Sequence, residues 1–205
     1  KVIWPIRSDI FWIKDYIPDI TFCLPEDNFT GKEYYGQDLI INSPNFVYLG
    51  LKNAHVWNSK YNHIMKSKYS LLNLDWNCWN EGFIFNRNLD KENELYYNVL
   101  GLKDDSEYVF VNRYANTENR KNNELVFPDF DIPIVDLQIL NGFSLFDWCK
   151  VIENAKEIHT VHTSMPYLID RLNIKAKKYH MYQGIHNPNV EHIPFLNNTP
   201  VWVPN

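Results

Sequence analysis

The chain has 205 residues, 45% of them hydrophobic, with a formal net charge of −5 and a pI near 5.8. This composition can bury a substantial core, and the acidic balance argues against a non-specific nucleic-acid surface, which needs clustered Lys and Arg. The widely spaced Cys23, Cys78 and Cys149 predict neither a disulfide framework nor a zinc site. Without a membrane-length apolar run or a signal peptide, we expect a cytoplasmic protein that has no membrane segment.

The first half of the chain predicts an irregular α/β arrangement. Short β-prone runs are predicted as strands at 2–6, 19–24, 39–41 and 46–51. An apolar pattern over 10–17 predicts a helix that ends at Pro18. A clearer helix is predicted over 89–100, because Gly101 occupies the usual C-terminal position.

The second half alternates strands with helices. Strands are predicted at 108–112, 132–137, 158–161 and 178–182, and helices at 144–155 and 166–172. This alternation is typical of a parallel sheet that is covered on both faces. We therefore expect an α/β protein with two small lobes, 1–95 and 96–187. The proline-rich residues 188–205 are expected to form an extended tail that packs back toward the first lobe.

The segment 157–172 is the most informative part of the sequence. A β-branched strand is followed by a turn with Thr163 and Ser164, and then by a helix that begins near Met165. At the carboxyl edge of a parallel sheet, the free N–H groups and the positive dipole end of such a helix attract phosphate. This pattern predicts a nucleotide or nucleotide-sugar site, although simple capping uses the same residues.

Two further residue types are expected at this edge. Arg113 follows a buried strand, so its guanidinium can pair with a phosphate, or it can be an ordinary structural arginine. His162 lies at a strand exit and can donate to a phosphate or a sugar. His159 is three residues away and should point to the opposite face of the strand, so a shared metal ion is not predicted, and His159 is interpreted as an interior histidine.

Asp9 and Asp75 are the candidate general bases. Asp9 follows the first strand, where its carboxylate can take a proton from an acceptor hydroxyl or cap the next helix. Asp75 lies beside Trp76 and Trp79, whose rings, like that of Trp57, can either stack on sugars or belong to the core.

Asp129 and Asp131 form a D-x-D pattern. Metal-dependent glycosyltransferases use such a pattern to hold a divalent ion against a diphosphate. Because both residues precede their predicted strand instead of following it, we interpret them as an acidic turn.

Several runs together resemble GT-B-like glycosyltransferases of bacteria and large DNA viruses. The resemblance covers most of 76–182, and its parts are 85–88, 91–95, 108–114, 147–148 and 152–159. Its most specific part is 153–172, with His162, Thr163 and Ser164 in the turn. The resemblance implies two Rossmann-like lobes with an interlobe cleft. It also implies a nucleotide sugar bound mainly by the second lobe and metal-independent transfer to an acceptor held by the first.

The resemblance extends to single positions and to composition. Asp9 is similar by position to the first-loop aspartate that acts as base in inverting members, although Ser8 replaces the usual glycine. The abundance of Asn and Tyr and the missing initiator Met resemble one domain of a chlorovirus-type multi-domain glycan-building protein, such as a rhamnosyltransferase. Such a domain would act in the host cytoplasm.

The sequence therefore predicts a glycosyltransferase that moves a sugar, such as L-rhamnose, from a UDP-linked donor to a glycan hydroxyl with inversion. No cofactor is expected beyond the donor, and the expected partners are donor, acceptor and other domains of a longer polypeptide, not nucleic acid. Asp9 or Asp75 would be the base, and Trp57, Trp76 and Trp79 would hold the acceptor. The donor-binding residues are predicted to be Asn112, Arg113, Tyr114, Gln138, Asn141, Gly142, Phe143, His162, Thr163, Ser164 and Met165.

Two alternatives stay open from the sequence. One is a carbohydrate-binding module without catalysis, in which the three tryptophans grip a glycan. The other is a metal-dependent glycosyltransferase that uses Asp129 and Asp131.

Overall fold

The structure is a computed structural model that describes residues 2–37, 39–50, 64–113, 127–182, 195 and 197–203. It divides into two compact units, the first built from residues up to Asn86 and the second from Arg87 onward. The predicted boundary after residue 95 therefore falls inside the second unit. Within the described ranges, none of the helices is both long and apolar enough to cross a bilayer.

The first unit contains two small sheets. Strands β1 (Val2–Pro5) and β2 (Ile20–Cys23) are parallel, and strands β3 (Ile40–Asn42) and β4 (Val47–Leu49) form an antiparallel pair. All four lie where strands were predicted. Helix α1 covers Ile64–Leu71, and short 3-10 helices cover Lys32–Tyr34 and Trp76–Cys78.

The connection between β1 and β2 differs from the prediction. Instead of an α-helix over 10–17, a 3-10 helix covers Ser8–Asp15. None of its residues is buried, so little packing energy supports a regular α-helix at this place.

The second unit is organised around a five-stranded parallel sheet, which confirms the predicted parallel α/β class. The strand order is β6-β5-β7-β8-β9. The strands are β5 (Val109–Asn112), β6 (Ile134–Asp136), β7 (Glu157–Val161), β8 (Lys178–Tyr182) and β9 (Val201–Val203).

The helices of the second unit are short. Helix α2 (Leu89–Asn93) continues into a π-helix over Glu94–Val99, in the predicted region. A 3-10 helix (Leu145–Trp148) leads into α3 (Cys149–Asn154), and the Asp147 carboxylate accepts hydrogen bonds from the Ser144 amide at 2.7 Å and its hydroxyl at 2.9 Å, as the capping pattern predicted. Helix α4 covers Met165–Asp170.

The sheet has layers on both faces. On the helical face, the Tyr108 hydroxyl donates to the Val151 carbonyl at 2.7 Å, and the Phe110 ring packs on Trp148. The opposite face, here called the loop face, carries residues 157, 159 and 161 of β7 together with 178, 180 and 182 of β8. Phe127 packs there on Tyr182, with ring centroids 4.6 Å apart.

An ion-pair cluster ties α2 to α3. The Arg87 Nε donates to Glu92 Oε1 at 2.7 Å, and Nη1 and Nη2 donate to the two Glu153 oxygens at 2.8 and 2.9 Å. These hydrogen bonds, that to Glu92 foremost, raise the pKa of Arg87 despite the opposing effect of its burial. Because Glu92 is only 1% exposed, its charge depends on Arg87 for compensation.

The C-terminal residues join the second unit, so the prediction of an extended tail directed at the first lobe is corrected for residues 197–203. The amides of Asn197 and Asn198 both donate to Asp170 Oδ1 at 2.9 Å. The Asn198 side chain also donates to the Ile169 and Leu172 carbonyls at 2.7 and 2.8 Å, which caps the end of α4. Strand β9 then pairs with β8.

We expect Asp170→Ala to lower the free energy of unfolding by about 2–4 kcal/mol, because two amides lose a fully buried charged acceptor. Asp170→Asn keeps one acceptor oxygen, so the free energy of unfolding should fall by less. Urea unfolding followed by circular dichroism measures both, with the exposed Asp131→Ala as control. An Asp170→Ala loss no larger than that of the control would contradict the role of Asp170 in fastening the tail.

Candidate functional site

The carboxyl edge of the five-stranded sheet contains a topological switch point. From β5 the chain moves to one side of the sheet to form β6, and then to the other side of β5 to form β7. Phe130, before β6, contacts His159 on the loop face, whereas α3, before β7, packs on the helical face. Connections on opposite faces leave a crevice outside the carboxyl ends of β5 and β7, the usual ligand position in open α/β sheets.

Asn112 and Thr160 connect β5 and β7 near this edge of the sheet. The Asn112 side-chain amide donates to Thr160 Oγ1 at 3.0 Å across β5 and β7. Asn112 is 2% exposed and Thr160 is fully buried, so Asn112 holds the two strands together. Its predicted direct contact with a donor is therefore corrected to a positioning role.

Arg113 emerges at the carboxyl edge, as the sequence predicted. Its Nε donates to Asp136 Oδ1 at 2.7 Å, and its guanidinium lies over the Phe127 ring, 4.5 Å from the centroid. Its side chain is 28% exposed. Asp136 was not singled out from the sequence, although its position at the end of a predicted strand was a usable signal. The pair orients the guanidinium and partly neutralises its charge.

The turn over 162–164 differs in detail from the prediction. Thr163 Oγ1 accepts a long hydrogen bond of 3.4 Å from the Met165 amide, and Pro166 in the first turn of α4 has no N–H to offer. Met165 and Pro166 are buried, so Met165 is a core residue and not a donor contact. The helix start therefore presents fewer amide donors than the sequence analysis expected.

Accessible groups are nevertheless present in this turn. Ser164 is exposed and is the N-cap residue of α4, where its side chain makes no capping hydrogen bond within the described residues. His162 and Thr163 are half-buried, and the His162 ring meets Trp202 of β9 edge to face at 5.6 Å. The exposed Ser164 hydroxyl therefore follows β7 at the same sheet edge where Arg113 follows β5, whereas the His162 ring packs on Trp202 and its Nε2 is buried.

The loop after β6 lies at the same edge of the sheet. Gln138, Asn141 and Gly142 are exposed, and Phe143 is half-buried. Gly142 has a φ of 85°, which favours glycine, and its carbonyl accepts from Lys91 Nζ at 2.9 Å. The predicted donor-binding residues 138–143 therefore follow the strand next to β5. Two other predicted site residues, Tyr114 and Trp57, lie outside the described residues.

Asp9 lies in a cleft of the first unit, beyond the carboxyl ends of β1 and β2. The cleft measures about 470 Å³ and is lined by Arg7, Ser8, Asp9, Pro25 and Glu26. Both Asp9 oxygens accept from Arg7, at 3.0 and 2.7 Å, and the Asp9 side chain is 53% exposed. An acceptor hydroxyl that uses Asp9 as a base would have to displace one of these bonds. Arg7 was not singled out from the sequence.

The second set of predicted acceptor and base residues has structural roles. Asp75 Oδ1 accepts from the Asn77 amide at 2.9 Å and caps the short 3-10 helix. Trp76 and Trp79 are only 8% and 6% exposed, and Tyr69 packs edge to face on Trp76 at 5.0 Å. These two tryptophans belong to the core, so the prediction that they form a sugar platform is corrected.

Asp129 and Asp131 lie in the segment that leads from Phe127 to the amino end of β6, so they precede the strand. Both are exposed. Their position agrees with an acidic turn.

Comparisons of the chain with protein-family models, with curated proteins and with solved structures give no match. Function is therefore inferred from the geometry within each unit. In the second unit, Arg113, residues 138–143 and the turn over 162–164 share one sheet edge. In the first unit, Asp9 occupies a separate cleft.

Proposed function

We propose that this protein is a glycosyltransferase with a GT-B-like arrangement of two lobes. Its second unit would bind a nucleoside-diphosphate sugar, and its first unit would hold a glycan acceptor. The observation that carries the proposal is the switch point between β5 and β7, with Arg113 on one side and the turn over 162–164 on the other.

Each group at this edge has a role in the proposed reaction. Arg113 and the hydroxyls of Thr163 and Ser164 would bind the diphosphate, and the nucleotide base would lie beside residues 138–143. The acceptor oxygen would attack the anomeric carbon, Asp9 would take its proton, and the bond to the diphosphate would break. Fixed hydrogen-bond donors would stabilise the departing diphosphate, so no metal is needed at this step.

The partial neutralisation of Arg113 fits a reversible donor site. With Asp136 bound at Nε, the guanidinium keeps its orientation, and its other nitrogens can meet a phosphate oxygen. Hydrogen bonds from the Thr163 and Ser164 hydroxyls, in the turn after the neighbouring strand, would fix the orientation of the diphosphate. This combination suits binding and release of a diphosphate at every turnover.

The proposal predicts specific nucleotide binding. A thermal-shift screen of UDP, GDP, TDP and CMP should find one that stabilises the protein, since a ligand that binds the native state raises its stability. Calorimetry should then show that Arg113→Ala and Ser164→Ala each lower the affinity for this nucleotide by about tenfold. That change corresponds to the loss of one charged hydrogen bond. Arg171→Ala, an exposed cation at the other end of α4, is the matched control.

Two results would reject the proposal. One is a failure of all four nucleotides to bind at millimolar concentration. The other is nucleotide binding that neither Arg113→Ala nor Ser164→Ala changes. Binding of glycan oligosaccharides without any nucleotide binding would instead favour a carbohydrate-binding module.

A further inference from the structure

Three metal-ligating side chains meet on the loop face of the sheet. Glu157 and His159 are two residues apart on β7 and point to the same face, and His180 is the direct partner of His159 on β8. The distance from Glu157 Oε1 to His159 Nε2 is 2.8 Å and that to His180 Nε2 is 3.9 Å. One ligand atom from each residue lies within 4.8 Å of the other two.

These distances suit a small transition-metal ion. A tetrahedral zinc ion with bonds of about 2.0–2.1 Å holds its ligand atoms about 3.3 Å apart. The observed 2.8 and 3.9 Å lie on either side of that value. Two imidazoles and one carboxylate are a donor set typical of Zn²⁺, and a water molecule would supply the fourth ligand.

We propose that Glu157, His159 and His180 form a binding site for a divalent transition-metal ion, of which Zn²⁺ fits best. The site goes beyond the proposed transferase function and does not depend on it. Glu157 and Lys178 begin β7 and β8, so the cluster lies toward the amino ends of the strands. The proposed diphosphate site lies at their carboxyl edge, and the ion would therefore not contact the donor.

The surroundings prepare His159 for this role. Its ring is 1% exposed, and its Nδ1 lies 2.7 Å from the Tyr182 hydroxyl. The 2.8 Å contact of Nε2 with the Glu157 carboxylate places the proton of the neutral ring on Nε2, and Nδ1 then accepts from the Tyr182 hydroxyl. A metal ion would displace the Nε2 proton, and Nδ1–H would then donate to the Tyr182 oxygen. A second hydrogen-bonded group of this kind fixes the tautomer and orientation of a ligating histidine.

The protonation states also suit metal binding. Burial lowers the pKa of His159, which favours the neutral ring that a metal requires. Burial alone would raise the pKa of Glu157, but hydrogen bonds from His159 and Lys178 outweigh it and lower that pKa. The carboxylate is therefore anionic and available to a cation.

Two local changes accompany coordination. The His159 and His180 rings are stacked, with centroids 4.7 Å apart and an interplanar angle of 14°. A metal ion lies in the plane of each imidazole that binds it, so one ring must turn, and His180 has the freedom to do so at 24% exposure. Lys178 Nζ, 3.2 Å from Glu157 Oε2, must move away, which its 66% exposed side chain permits.

The test is a zinc titration of the whole chain after treatment with a chelator. Calorimetry should show one equivalent of Zn²⁺, and Co²⁺ in its place should give the strong visible absorption of a tetrahedral site without thiolate bands. His180→Ala and Glu157→Gln should each lower the Zn²⁺ affinity by about a hundredfold or more. Even residues that only hydrogen-bond to a metal ligand contribute about tenfold to a hundredfold. Both residues are partly exposed, and circular dichroism checks that the variants fold.

Two further variants separate coordination from a merely structural role. Lys178→Ala removes a competing cation and should raise the Zn²⁺ affinity several-fold. His162→Gln changes a histidine of the same segment whose side chain is directed at Trp202, so the affinity should stay unchanged. The proposal is overturned if no stoichiometric Zn²⁺ binding occurs, if His180→Ala binds as tightly as the unchanged chain, or if the Co²⁺ spectrum shows thiolate ligation.

Discussion

Replacing Arg87 with alanine is expected to lower the free energy of unfolding by about 3–5 kcal/mol. The substitution leaves the 1% exposed Glu92 without its guanidinium partner and also removes both bonds to Glu153. A buried carboxylate without compensation is among the most destabilising features a fold can contain. Chemical denaturation followed by circular dichroism measures the loss.

A double substitution distinguishes the charge effect from lost packing. Glu92→Gln in the Arg87→Ala background removes the uncompensated charge, so it should recover part of the stability. The control is Arg7→Ala, which breaks an exposed ion pair with Asp9 and should change the free energy of unfolding only slightly. Equal losses for Arg87→Ala and Arg7→Ala would show that the cluster between α2 and α3 does not stabilise the second unit.

In the proposed transfer reaction, Asp9→Asn is expected to reduce the turnover number by about a hundredfold or more, the usual contribution of a general base. The amide keeps the size of the carboxylate but cannot accept the proton of an acceptor hydroxyl. The affinity for the nucleotide found in the screen should not change, because Asp9 belongs to the first unit. Steady-state kinetics of sugar transfer and calorimetry measure the two quantities separately.

The matched control for this prediction is Asp15→Asn. Asp15 is an exposed carboxylate on the same 3-10 helix, paired with Lys14 at 3.4 Å. Its replacement should leave turnover unchanged. Full activity of Asp9→Asn would show that Asp9 is not the base. It would not bear on the nucleotide site, which the binding measurements test separately.

The central strands of the second unit were predictable because their sequences are locally decisive. Runs such as 108–112 and 157–161 combine β-branched and aromatic residues, and their strands were predicted to within a residue or two. The capping pair Ser144 and Asp147 was predictable for the same reason, because the two residues are only three positions apart in the sequence. These features depend on neighbours along the chain, so the sequence contains enough information to identify them.

Features that depend on pairing between distant segments were not predictable. Strand β9 has prolines on both sides, and Pro-rich sequence resembles an unpaired extended segment even though proline is well tolerated at an edge strand. The meeting of His159 with His180 requires the register of β7 against β8. Likewise, Arg87 and Glu153 are separated by 66 positions.

The candidate site was predicted in outline but not in its contacts. The sheet edge and Arg113 follow from the alternation of strands and helices. The partner Asp136 and the burial of Trp76 depend on tertiary packing, which composition cannot supply. The loss of an amide donor at Pro166 could have been read from the sequence, because proline has no N–H.

The parallel sheet has a consequence for how the second unit acquires its structure. Strand β5 pairs with β6 on one side and with the more distant β7 on the other, so one of its edges stays unpaired until β7 has been ordered. The bond between Asn112 and Thr160, which are 48 positions apart, forms only then. Closing such loops before any contact is gained makes assembly slow. During that interval the apolar residues of β5 are available to other molecules, and self-association competes with maturation of the fold.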